Sequence, residues 1–308
     1  MKKAFTLVEL LVVIGIIGVL SAILLVSYSG GTESARNAKC LTNMRNLAAA
    51  CQSYGMATGH YPAAGSFEKC QIDESRGIHN AKRQYFERSG WLSWNSQGAY
   101  ASKPQQHVSS DSWFTSCYNQ QEEVREYALT NGALWKYVSA NRDVFVCPCH
   151  KIAYASAKQS SKVSKPLWSY VMNAYFCWDK SKGQRAMDEN YWGIEYGKLK
   201  RADKRLLFAE IPFTNWISDP PEVSDNGMKN DCTLQYAVRD GGEYIGFNHK
   251  SGKRNKFAHI VFADAHVEKI SLPEKSSLGA GEARELTEWL CQGKDVSFNG
   301  SKYEKLND

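Results

Sequence analysis

Along the first thirty residues the polar positions nearly vanish. The chain opens Met1-Lys2-Lys3-Ala4 and is then apolar from Phe5 to Val26, interrupted only by Thr6, Glu9, Gly15, Gly18 and Ser21. As a helix such a run is about 33 Å long, enough to cross a bilayer core, and Lys2 and Lys3 just before it favour a cytoplasmic N-terminus. Ser27-Tyr-Ser-Gly-Gly-Thr32 predicts a flexible break. Beyond it Ala35, Cys40, Leu41, Met44, Leu47, Ala48, Cys51 and Tyr54 recur at helical spacing, with Arg36, Asn37, Lys39, Asn43, Arg45 and Asn46 mostly off that face. Gly55, Gly59 and Tyr61-Pro62 end the helix.

The pattern then changes. Residues 63–145 are polar and aromatic, with a short helix expected over Gln121–Val138. Short strand-type runs follow at Val144–Cys147, Trp168–Met172, Arg205–Glu210 and His259–Val267, and a closing helix over Gly281–Cys291. Strands after a long helix imply an α+β fold: a long N-terminal helix, membrane-spanning and then amphipathic, packed on a mostly antiparallel sheet. The expected organisation is a leader at 1–4, a helix at 5–57 with its spanning part at 5–26, and a head at 58–308.

Glu9 decides between readings of the apolar segment. A secretory signal would stop after about 7–15 apolar residues at a small-residue cut, but here Ser21-Ala22 runs on into Ile-Leu-Leu-Val. A plain signal anchor fits the length and leaves Glu9 unexplained, although an ionisable group in a membrane helix costs at least about 2.5 kcal/mol. Lys-Lys-Ala-Phe-Thr-Leu-Val-Glu resembles the type III signal of type IV prepilins and type II secretion pseudopilins. That resemblance implies cutting by a prepilin peptidase between Ala4 and Phe5, methylation of Phe5, and a new amine that a neighbouring subunit's Glu9 neutralises during stacking. Ala4 stands where the family prefers glycine; a small residue is retained and processing is expected.

A second resemblance covers the head. Val144-Phe-Val-Cys-Pro, Ser169-Tyr-Val-Met-Asn173, Phe208-Ala-Glu210 and Phe247-Asn-His249 to Val261-Phe-Ala-Asp264-Ala-His266-Val are similar to large-headed pilin-like proteins of planctomycete- and verrucomicrobia-type bacteria. Asp264-Ala265-His266 stands where that set has Asp-Gly-His, which puts a tight turn in doubt. The basic stretch 250–256 reads as a loop insertion.

Composition adds the compartment. Nine cysteines (40, 51, 70, 117, 147, 149, 177, 232 and 291) suit an oxidising one, and the odd number leaves at least one unpaired. The net charge of +6 is spread along the chain, so no nucleic-acid partner is expected. Cys147-Pro148-Cys149-His150 is the most metal-like sequence, but zinc pairs usually have two or more residues between cysteines. A disulfide from Cys147 or Cys149 to Cys117, Cys177 or Cys232 is therefore expected, with connectivity open. Cys40 and Cys51, about 16 Å apart on one helix face, cannot bridge each other. Either they reach the head (Cys51 to Cys70) or they are small core residues.

Asp264, His266, His249 and Glu210 form the best polar group of the strand region, yet no nucleophile accompanies them and no enzyme is expected. Major pseudopilins bind calcium through loop oxygens. By that resemblance Asp264 and Glu210, with Asp225 and Asp231, are the candidate calcium ligands, and no other cofactor is implied.

The reading is a non-enzymatic pilin-like subunit in the bacterial inner membrane, with one pass and the head in the periplasm or on a surface filament. Its partners are prepilin peptidase, copies of itself and other pilin-like subunits. The alternative is a membrane-anchored display module whose aromatic-rich head binds a polysaccharide or an exported protein. A tethered hydrolase would need Asp264, His266 and His249 to converge.

Overall fold

The computed structural model describes residues 7–62, 64, 90–92, 122–157, 165–176, 195–213, 233–234, 244–251, 255–272, 280–298 and 303–306. Helix α1, Leu7–Thr58, runs without interruption through the segment expected to be a break. The cost explains why. Gly30 and Gly31 each weaken a helix by about 1 kcal/mol relative to alanine, whereas splitting the rod would require a second unfavourable nucleation. The helix stops where expected: Gly59 adopts φ +78° and its N–H closes onto the Gly55 carbonyl at 2.8 Å.

The two halves of α1 live in different environments. Leu7, Val8, Leu10, Leu11 and the apolar residues to Leu20 are exposed all round the rod. Among the described residues no helix is long and apolar enough to cross a membrane. The spanning segment expected over 5–26 therefore does not stand as a feature of the described structure: the described apolar side chains are those of Leu7–Leu20, the first part of the run. In the second half Cys40, Met44, Leu47, Ala48, Cys51 and Tyr54 are buried, as their spacing implies. Leu41 is half-buried and Ala35 is exposed, off the buried face, while Asn43, read as off the face, is fully buried. Its Nδ2 donates to the carbonyls of Asp143 (2.7 Å) and Val146 (3.1 Å), which offsets the cost of burying an amide.

The expected helix over Gln121–Val138 divides into α2, Glu122–Thr130, and a 3₁₀ turn, Trp135–Val138. Gly132 lies at the break, where a Cβ would come within 2.3 Å of the Trp91 carbonyl oxygen. The run 144–147 is not a strand. A 3₁₀ turn at Arg142–Val144 leads into α3, Pro148–Ala157, because Pro148 has no N–H to give a sheet and suits a first helical turn.

The sheet contains β1 (Tyr170–Asn173), β2 (Leu206–Glu210), β3 (Thr233–Leu234), β4 (His249–Ser251), β5 (Asn255–Phe262) and β6 (Val267–Ser271). Its pairings are antiparallel except β1 with β3. Residues 250–251 and 255–256 of the stretch read as a loop insertion are strand residues paired with one another, and 252–254 lie outside the described residues. The run 259–267 is a hairpin too: Ala265 supplies the left-handed residue at φ +72°, so the turn forms without glycine. Helix α4, Ala280–Gln292, packs against β2, and β7 (Val296–Phe298) pairs with β8 (Tyr303–Lys305) in a small second sheet.

One detail of the topology positions the site. β6 pairs with β5 over Phe257–Val261 and so occupies one of its edges. β2 takes the C-terminal part of the other edge (Ala209 opposite Ile260) and β4 the N-terminal part (His249 opposite Phe257). The end of β2 and the start of β4 therefore meet end to end, on the face that α1 covers.

Gly132→Ala is expected to destabilise the protein by about 1–3 kcal/mol, because the obstruction is backbone and cannot rotate away. Denaturant unfolding of the variant against the parent checks this; an unchanged midpoint would contradict the close approach.

Candidate functional site

Alternation along the strands selects the side chains under α1. Tyr170 lies opposite Glu210 in the β1–β2 ladder, and the β2–β5 register extended by one residue sets Glu210 opposite His259. His249 lies opposite Phe257, and Phe257 and His259 share a face. Ring centroids of His249 are 5.4 Å from Phe257 and 4.7 Å from His259. Helix α1 lowers Cys40 onto this group, and the turn before α3 brings Cys147.

One ligand-type atom from each of Cys40, Cys147, Glu210 and His249 lies within 4.8 Å of every other, and all four residues are buried. The Cys40 thiol donates to Glu210 Oε1 at 3.1 Å and accepts from the Tyr170 hydroxyl at 3.4 Å. His249 Nε2 faces Cys40 Sγ at 3.2 Å, Cys147 Sγ at 3.9 Å and Glu210 Oε2 at 2.8 Å. Glu210 Oε2 is nevertheless without a hydrogen bond. On the other side of the ring, Nδ1 lies 2.7 Å from Asn37 Oδ1. The orientation of that amide is set by its own Nδ2 donating to the Lys250 carbonyl at 3.2 Å, so Nδ1–H is the donor. Cys149 Sγ is on this outer side, 3.6 Å from Nδ1.

The electrostatics follow from burial and one charge pair. Burial alone would push the Glu210 carboxyl up, but the positive charge of His249 beside it outweighs this and holds the group below its ordinary range. Burial would push His249 down, and the Glu210 charge reverses this. Burial, opposed by the Cys147 contact, raises the Cys40 thiol to about 12. His150 stands apart: its Nδ1 is 2.9 Å from Ser169 Oγ, its ring stacks on Phe213 at 4.4 Å, and burial lowers it to about 3.

The four-residue sequence Cys147–His150 is therefore split among three surroundings, because each residue entering α3 turns by about 100°. Cys147 and Cys149 are free thiols, as are Cys40, Cys51 and Cys291. The expected disulfide partners Cys117, Cys177 and Cys232, together with Cys70, lie outside the described residues, as do Asp225 and Asp231, Ala4 and Phe5. Glu9 is exposed in the first turn of α1.

Asp264 and Glu210, expected together as calcium ligands, are not brought together. Asp264 follows the β5 residue opposite Leu206, whereas Glu210 ends β2, a separation of roughly 13 Å or more along the strand. The Asp264 carboxylate instead caps its own hairpin, accepting the His266 backbone N–H at 3.1 Å and contacting the His266 ring. The same offset separates Asp264 and His266 from buried His249, so the three groups a hydrolase would need do not converge. Cys40 and Cys147 were missed as partners, and their separation in the chain carries no signal of the contact.

Residues 1–25 match the model of the prokaryotic N-terminal methylation motif. That motif marks a prepilin-type signal, processed by cleavage and methylation, and it ends inside α1. No curated protein and no solved structure matches the chain.

His150 gives a pH test. Its folded-state value is depressed, so it contributes stability that is present above about pH 6.5 and is lost as pH falls toward its folded value. Acidification from pH 7 to pH 5 is expected to cost about 2 kcal/mol through this residue. Urea midpoints of the parent and of His150→Asn across that range check it; the same pH slope in both would remove the assignment.

Proposed function

We propose that this chain is a structural subunit of a type II secretion pseudopilus or type IV pilus, and not an enzyme. The observation that carries the reading is the methylation motif over residues 1–25, which ends inside a 52-residue helix whose described apolar side chains, Leu7–Leu20, are exposed on every side. An all-round apolar helix needs lipid or other apolar helices around it. The proposed course begins with insertion into the inner membrane through the Phe5–Val26 run, N-terminus in the cytoplasm and head in the periplasm. Prepilin peptidase then cuts after Ala4 and the Phe5 amine is methylated. In the filament that amine and Glu9 of an adjacent subunit neutralise each other, which removes two isolated charges from an apolar bundle. Head-to-tail contacts that do not close make a filament rather than a ring.

The display-module alternative draws on an exposed aromatic surface. Among the described residues Trp91, Trp168, Tyr54, Tyr61 and Tyr170 are buried, and Trp135, Tyr137, Tyr175 and Tyr196 pack against the core. These described aromatics do not form the surface that the alternative needs, and Trp94, Trp113, Trp178, Trp192 and Trp216 lie outside the described residues.

Glu9→Ala is expected to leave membrane insertion intact and to abolish incorporation into filaments, measured by fractionation and by shearing filaments from cells. Normal filaments from the variant would sink the proposal. N-terminal mass analysis of the native protein is expected to find Phe5 first, carrying one methyl group; a chain still beginning at Met1 would move the display reading to the front.

A further inference from the structure

We infer that Cys40, Cys147, Glu210 and His249 form a structural zinc site that clasps the N-terminal helix to the head sheet. The donor set is two sulfurs, one imidazole nitrogen and one carboxylate oxygen. Thiolate and imidazole select zinc over calcium or magnesium, which take oxygen ligands. Ligands of a tetrahedral zinc lie about 3.3–3.8 Å from one another, given bonds of about 2.0–2.3 Å. The contacts around His249 Nε2, 2.8, 3.2 and 3.9 Å, bracket that range. Four protein ligands leave no open position, which is the arrangement of structural rather than catalytic zinc.

Two further observations point to a cation. Glu210 Oε2 is fully buried, 2.8 Å from His249 Nε2 and without a hydrogen bond. And Nδ1–H of His249 is held by the Asn37 amide oxygen, which turns Nε2 inward toward the other three residues. A ligating histidine has this outer-shell support, with its second nitrogen donating to an oxygen. On binding, the two thiols and the His249 imidazolium each release one proton to solvent, so that the imidazole coordinates in its neutral form; no electrons move.

The ligands come from α1, the turn before α3, the end of β2 and the start of β4, so one ion would tie four chain segments. Its location bears on assembly: force applied along α1 would reach the head through coordination bonds as well as through side-chain packing. Cys149, on the outer side of the ring, is not a ligand in this arrangement.

The test uses the full-length protein in detergent, exposed to zinc under reducing conditions and dialysed against a weak chelator. About one zinc per chain is expected, with an X-ray absorption shell of two sulfurs at about 2.3 Å and two nitrogen or oxygen donors at about 2.0–2.2 Å. Cys149→Ser is expected to retain the metal, and Cys147→Ser and His249→Gln to lose it at least tenfold. Three results on the parent protein would overturn the site, whatever the variants' folding: no retained zinc, a zinc shell without sulfur, or a Cys40–Cys147 disulfide in a non-reduced digest of natively exported protein. Loss in Cys149→Ser with retention in Cys147→Ser would overturn the ligand assignment. All these outcomes are independent of filament formation, so they separate failure of the site from failure of the assembly reading.

Discussion

Helix α1 must satisfy two surroundings with one continuous backbone, and the seating of its second half on the sheet is the contact on which the head is organised. Met44 and Leu47, both fully buried, each contribute about 1.5–3 kcal/mol by leaving water. Polar residues bordering the stripe then reach carbonyls where head segments end or turn. Asn37 meets Lys250, Asn43 meets Asp143 and Val146, and Gln52 meets Asp264. Tyr61, just past the helix, reaches Ala263. The apolar stripe supplies most of the stabilisation, and the amide contacts set the axial register. A one-residue slip would break every one of those hydrogen bonds and carry the stripe off the sheet. The far face of the sheet is closed by α4, where Asn173 and Arg205 both reach the Cys291 carbonyl at the helix end.

Burying Glu210 and His249 beneath α1 is costly in isolation, and replacing such a pair by apolar residues is often neutral or stabilising. Its persistence in the middle of an aromatic face thus asks for a reason beyond packing. Two thiols beside it, a carboxylate oxygen lacking a hydrogen bond and an imidazole oriented from behind all have one reading in common, coordination. The geometry also shows why the cluster joins the helix to the head: two of its members are held by strand ends that meet along one edge of β5, and only a segment lying across that junction reaches both.

How much of this was legible depended on the range of the interaction. The processing signal, the end of α1 at Gly59 and the closing helix near 281–291 are local patterns, readable because the physics that produces them acts within a few residues. The break expected at Ser27–Thr32 was wrong because local glycine cost was weighed without the continuity of the helix on both sides. Val144–Cys147 has strand composition, yet Pro148 and the burial of Phe145 and Cys147 make it a bend between a 3₁₀ turn and α3. Asp264 and Glu210 looked like partners because both are acidic and near strands, but strand direction places them at opposite ends of β2.

Sequence alone thus determined that the chain carries a methylation motif, that an apolar rod becomes amphipathic, and that a mixed head follows. These are statements about which residues prefer which surroundings along a single element. The tertiary structure decided that Cys40, Cys147, Glu210 and His249 share one buried volume. Residues separated by scores of positions have no local preference for one another; the end-to-end meeting of β2 and β4 on one edge of β5, capped by α1, is what makes them neighbours.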